Sequence, residues 1–152
     1  MRREYFIGVI FVVAALIVLG IMMLSPDSLP ISRSTGKAMG AIIFLLGMVV
    51  FLWILVYLKD AFRGTVNPVR NQLITTGPYH WIRHPLYLSM IIILLGIGIA
   101  LRSLWGMVSI FVIFLPAVLF RAMLEEKALH RMFGNTWTAY QQHTKFLIPF
   151  IW

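Results

Sequence analysis

The stretch LYLSMIIILLGIGIAL-RS-LWGMVSIFVIFLPAVLFRAML, residues 86–124, decides the fold. It holds two long apolar runs with only Arg102-Ser103 between them, and Arg121 is the one other charge, inside the last turn. Apolar runs of this length are read as spans of a hydrocarbon layer about 30 Å thick, which takes roughly 20 helical residues. The spacing therefore predicts a tight helical hairpin of two transmembrane helices, Leu86–Leu101 and Leu104–Leu124. The first run is short, and a turn at Pro85 would lengthen it. Working outward, Tyr5–Leu24 and Ala38–Leu58 give two more apolar runs without a charge. The Met-Arg-Arg start resembles the head of a signal peptide. The run behind it is longer than a usual signal core, however, and no small-residue cleavage pattern precedes Ser25-Pro26, so a retained span is expected.

The expected fold class is thus an all-α integral membrane protein of about four transmembrane helices, with a long cytoplasmic loop and a C-terminal helix. A single domain is expected, residues 1–64 forming two N-terminal spans and 65–152 carrying the chemistry. Composition agrees: 61% of the 152 residues are hydrophobic and 12% are charged, too few polar groups to cover a soluble core of this size. No cysteine is present, which excludes disulfides and thiol chemistry. The net charge of +8 does not form a nucleic-acid stripe, because the cations sit at the ends of apolar runs. Ten (Arg2, Arg3, Lys59, Arg63, Arg70, Arg83, Arg121, Lys127, Arg131, Lys145) fall on one side of the expected spans, and three (Arg33, Lys37, Arg102) on the other. The positive-inside rule then places both termini and the Lys59–Pro85 loop in the cytoplasm. Gly36-x-x-x-Gly40 permits close helix packing but supports no claim about oligomeric state.

Two polar clusters carry the candidate chemistry. In the first, Gly77-Pro78-Tyr79-His80-Trp81-Ile82-Arg83-His84-Pro85-Leu86-Tyr87, Pro85 suits the first position of a helix, which puts His84 near the N-cap and Tyr87 in the first turn. Such a terminus attracts anionic groups. The plainer reading makes Tyr79, Trp81, Arg83 and His84 interfacial anchors. In the second cluster, Arg121 and Glu125 lie four residues apart and share a helix face, while adjacent Glu126 points about 100° away and needs another cation. The plainer reading here is a salt bridge that ends the span. The helix should continue from Ala122 to about Met132 and end at Gly134, with a second short helix over Thr136–His143 and the apolar Phe146–Trp152 segment packed at the interface. Of the histidines at 80, 84, 130 and 143, only His80 and His84 have i, i+4 spacing, and flanking prolines disfavour a continuous helix there. No metal is expected.

Together these clusters resemble the isoprenylcysteine carboxyl methyltransferase family of membrane-embedded enzymes. The resemblance runs from about residue 65 to 150. It rests on Leu73-Ile74-Thr75-Thr76-Gly77-Pro78-Tyr79, then Arg83-His84-Pro85-Leu86-Tyr87, then Arg121, Glu125-Glu126, Phe133-Gly134, an aromatic near Trp137 and Tyr140, and Pro149. It implies S-adenosylmethionine as cofactor, contacted by Asn71, Gln72, Leu73, Ile74, Tyr79, His84, Pro85, Leu86, Tyr87 and Glu125. Arg121 matches the basic residue associated with the methyl acceptor, and Glu126 or His84 would take a proton if that acceptor were an amine. The expected acceptor is a lipophilic or lipid molecule, a carboxylate in preference to an amine. One departure is Phe146, where the family often has arginine; Lys145 is displaced by one position. The rival readings are an NADPH-dependent membrane reductase related to sterol reductases, which lacks a phosphate cradle here, and a membrane scaffold or transport subunit.

Overall fold

The computed structural model describes residues 2–58 and 73–148, with the backbone alone for 2–7. The expected site residues Asn71 and Gln72, the cations of the 59–70 segment, and Pro149 lie outside the described residues. Five helices follow in order: α1 (Arg2–Leu24), α2 (Arg33–Leu58), α3 (Pro85–Ala100), α4 (Leu104–Phe133) and α5 (Asn135–His143). A 3-10 turn, Gly77–His80, precedes α3. α2 and α4 are long and apolar enough to cross a membrane, and α1 and α3 contribute shorter apolar helices beside them.

Each boundary has a local cause. Pro85 opens α3 at the position where its missing N–H costs nothing, and His84 is the N-cap. The chain before Pro85 is not helical beyond the short 3-10 turn, so α3 gains no length there; its 16 residues rise about 24 Å, short of the hydrocarbon thickness. Ser103 caps α4 by accepting from the Gly106 amide at 3.0 Å. Pro116 lacks the N–H of a regular helix and would crowd the Val112 carbonyl. The preceding turn, Ile110–Phe114, is accordingly wound as π-helix, with the Leu115 amide donating five residues back to Ile110. Gly134, at φ +49°, ends α4, and its amide donates to the His130 carbonyl at 2.9 Å.

Lipid tails are as apolar as leucine, so helices associate in a membrane by close packing. The closest approach is between α2 and α3, where Gly36, Gly40 and Gly47 face Gly96 and its neighbours. A Cβ added at Gly96 would lie 2.5 Å from the Phe44 amide nitrogen and 2.9 Å from the Gly40 carbonyl, and backbone cannot step aside. The Gly36–Gly40 spacing thus serves this intramolecular contact. Gly96→Ala is expected to cost about 1–3 kcal/mol, the range for overpacking a close contact. Gly20→Ala, whose Cβ would meet nothing within 4 Å, is expected to be silent. Thermal denaturation in detergent measures both.

The core is built from Phe11, Val18 and Met22 of α1, Tyr87, Ile91 and Leu94 of α3, Ile110, Phe114, Val118 and Ala122 of α4, and Phe146 and Leu147. Outward positions such as Leu45, Leu46, Val49 and Val56 of α2 stay exposed, as a lipid-facing surface requires. The last two core residues change the expectation for the C-terminal segment. Phe146 and Leu147 are buried because residues 81–84 take them up: Lys145 donates to the Trp81 carbonyl at 3.0 Å, Arg83 to Lys145 at 2.8 Å, and His84 to Phe146 at 3.1 Å. Backbone pairing at this bridge holds the segment against the start of α3.

Candidate active site

The chain brings the two polar clusters into contact. α3 supplies His84 at its N-cap and Tyr87 from its first turn, and α4 supplies Arg121, Glu125 and Glu126 from its C-terminal half. Tyr87 donates to Glu125 Oε1 at 2.5 Å and accepts from Arg121 Nε at 2.8 Å. Arg121 Nε also lies 3.4 Å from Glu125 Oε1, the expected i, i+4 pair. Arg121 is 8% exposed, and its guanidinium carbon rests 5.3 Å from the Phe11 ring centre, so α1 closes this side of the site.

Glu126 turns to the other flank, as the angle between successive helical residues requires. Arg83 Nε donates to its Oε1 at 2.6 Å, and Gln141 of α5 donates to its Oε2 at 3.1 Å. Arg83 also donates to the Thr144 and Gln141 carbonyls at 2.6 and 3.3 Å. Arg83 is therefore no snorkelling anchor: it clamps α4, α5 and the C-terminal segment together. Trp81, 58% exposed, keeps the surface position that the anchor reading gave it.

His84 lies between the two ion pairs. Its Nδ1 is 3.8 Å from Glu125 Oε2, and its Nε2 is 3.3 Å from Glu126 Oε1. The second approach is too poorly aligned for a hydrogen bond, and buried Nε2 has no partner among the described residues. Tyr87 stacks on the imidazole at 5.7 Å, and Phe146 meets it edge-on at 4.8 Å. Where arginine often stands in the resembled family, Phe146 is thus a wall for the imidazole, while the Lys145 side chain is exposed.

Tyr79 lies in the 3-10 turn ahead of α3. Burial pushes its phenol well above the usual range, and the charges of Glu125 and, to a smaller extent, Tyr140 add to the shift. It remains a protonated donor at neutral pH. Its carbonyl accepts from the Tyr140 hydroxyl at 2.6 Å, which ties the 3-10 turn to α5. Burial likewise raises the Tyr140 phenol. Pro85 is fully buried and fixes the start of α3. Leu86 is half-buried and uses its carbonyl to accept from Ser89 at 2.7 Å. Leu73 and Ile74 are half-buried in the extended chain before the turn, and no hydrogen bond or ring contact joins them to the cluster among the described residues. The sequence offered Arg83 only as a cluster member or anchor and Phe146 only as a departure; their contacts with Glu126 and His84, and the part played by Gln141, were not expected from it.

The site therefore holds two carboxylates, two guanidinium groups and one imidazole. All lie near the end of α4, a 30-residue helix that exceeds what the hydrocarbon layer needs.

Similarity to known proteins agrees with this arrangement. No curated protein sequence matches the chain. A solved structure of a eukaryotic intramembrane Ras methyltransferase, isoprenylcysteine carboxyl methyltransferase, superposes with a TM-score of 0.69 at 24% identity. The match covers 93% of this chain and 52% of that one, so the chain spans about half the length of the structure whose fold it shares. The profile of the phospholipid methyltransferase family matches residues 35–136, which takes in nearly all of α2, the whole of α3 and α4, and the side chains of Tyr79, Arg83, His84, Tyr87, Arg121, Glu125 and Glu126. The match of this family over more than half of the chain establishes that it belongs to the phospholipid methyltransferase family.

Proposed function

We propose that the chain transfers a methyl group from S-adenosylmethionine to a lipophilic acceptor at the cytoplasmic boundary of the membrane. The observation that carries this reading is the pair of ion pairs, Arg121–Glu125 and Arg83–Glu126, that bracket His84 at the start of α3. The donor set fits the cofactor. Glu125 and Glu126 suit its positive ammonium and sulfonium groups, and His84 with the α3 N-terminus suits its carboxylate. Tyr79 and Tyr87 offer aromatic faces to adenine or to the sulfonium. When bound, the cofactor supplies an electrophilic methyl group, and the protein's share of catalysis is to align the acceptor with it.

The acceptor we favour is a carboxylate. It is already nucleophilic and needs no base, and Arg121 provides a planar cation whose orientation is set at Nε by Tyr87. A second reading, a lipid amine, draws support from the His84–Glu126 approach of 3.3 Å, which offers a group able to take a proton. The family's description as phospholipid methyltransferases supports it too.

Calorimetric titration of the detergent-solubilised protein tests the cofactor assignment. S-adenosylmethionine is expected to bind and NADPH not to; binding of NADPH alone would return the reductase reading, and binding of neither the scaffold reading. The membrane face is tested separately. With ten cations of thirteen on one side of the expected spans, reporter fusions at Trp152 and within the 25–37 loop should report opposite sides, the former cytoplasmic. A same-side result would contradict the span count.

A further inference from the structure

Behind the site, on the face of α4 turned toward α5, lies a groove of about 510 Å³ lined by Met123, Glu126, Lys127, His130, Arg131, Trp137 and Gln141. Among these, the site described above uses only Glu126 and its partner Gln141. Lys127, His130 and Arg131 fall at i, i+3 and i+4, one face of α4, and all three are exposed. The carboxylate at the back of the groove does not cancel them, because Glu126 is already matched by Arg83 at 2.6 Å and by Gln141 at 3.1 Å. A second observation is independent of these charges. Trp137, 2% exposed, lines the groove from α5, and its buried indole N–H has no acceptor among the described residues. An indole N–H is a donor only, and buried donors are nearly always paired. The groove thus combines two fixed cations and an imidazole above an enclosed, unpaired indole donor, the complement of an anion with several acceptor oxygens once the Trp137 ring turns toward it.

We propose that this groove is a binding site for a phosphate group. Lys127 and Arg131 supply the charge, Arg131 with a fork that matches phosphate oxygens, and the Trp137 N–H and His130 donate to it. A phosphate has the acceptors to satisfy all four, whereas a halide offers no directional set of oxygens. The position fits a lipid headgroup, since this part of α4 follows the span at the membrane boundary and the neighbouring Met123 and Met132 are exposed apolar side chains. A free phosphate presents the same oxygens. This inference is independent of the identity of the methyl donor and acceptor.

Binding of inorganic phosphate and of short-chain dihexanoyl phosphatidylglycerol, below its micelle concentration, is measured by calorimetry on the full chain in a non-ionic detergent. The wild type is expected to bind one or both. The Lys127→Gln/Arg131→Gln variant should bind at least tenfold more weakly, and Trp137→Phe, which keeps the ring and loses only the donor, several-fold more weakly. A Lys37→Gln/Lys145→Gln variant, which removes the same charge outside the groove, should bind within twofold of wild type. Binding of the lipid alone assigns the phosphate to a headgroup, and binding of both to the phosphate itself. Binding of neither probe overturns the proposal, as does equal weakening by the two charge-removal variants.

Discussion

Glu125→Gln and His84→Ala are each expected to weaken S-adenosylmethionine binding by about tenfold to a hundredfold while the protein stays folded. Hydrogen bonds to charged groups are worth about 1.5–3 kcal/mol, and each 1.4 kcal/mol is a factor of ten. Glutamine keeps the shape of Glu125 and an oxygen to accept from Tyr87, now 2.5 Å away, so the change removes charge more than packing. Alanine at 84 removes the imidazole between Tyr87 and Phe146 but leaves the backbone amide on the Phe146 carbonyl, so the C-terminal segment keeps its anchor. Calorimetry gives the affinity, and circular dichroism with size-exclusion chromatography checks the fold. Unchanged affinity in both folded variants would remove these residues from the cofactor site.

The second large effect is expected at Arg121. An ion pair with Glu125 needs only a positive charge, and a lysine would serve it. Holding a carboxylate acceptor uses the planar guanidinium, which an ammonium cannot reproduce. The Nε–H of Arg121 is committed to Tyr87 at 2.8 Å, which fixes the plane of the group against the Phe11 ring. Arg121→Lys should therefore leave cofactor affinity within a few-fold but lower methyl transfer by roughly tenfold or more, about 1.4 kcal/mol of transition-state stabilisation. Full activity in the lysine variant would favour the plain ion pair, and with it an amine acceptor.

Much of this arrangement is legible in the sequence because it is local. The apolar runs mark the helices, Pro85 fixes the start of α3, and 3.6-residue periodicity puts Arg121 with Glu125 and turns Glu126 away. The partner of Glu126 was not legible. Arg83 is 43 residues distant, and nothing in its neighbourhood distinguishes a buried clamp from a headgroup anchor. The one signal was stoichiometric: a second carboxylate beside an Arg–Glu pair requires another cation. The burial of Phe146 and Leu147 was not legible for a related reason. An apolar tail too short to span a membrane reads as interfacial, whereas backbone pairing between residues 81–84 and 145–146 draws Phe146 into the site. The π-turn before Pro116 is likewise a local answer to proline that hydropathy does not register.

The most direct test of the central claim is transfer of label by the purified protein in lipid nanodiscs, from S-adenosylmethionine carrying an isotopic methyl group to a membrane lipid extract. Label is expected in the organic phase, dependent on Glu125 and Arg121, and released by mild base as methanol if the product is a methyl ester. Base-stable label would move the acceptor to an amine and keep the methyltransferase site. A folded protein that leaves all label in the aqueous phase, across extracts rich in lipid carboxylates and in lipid amines, would contradict the account.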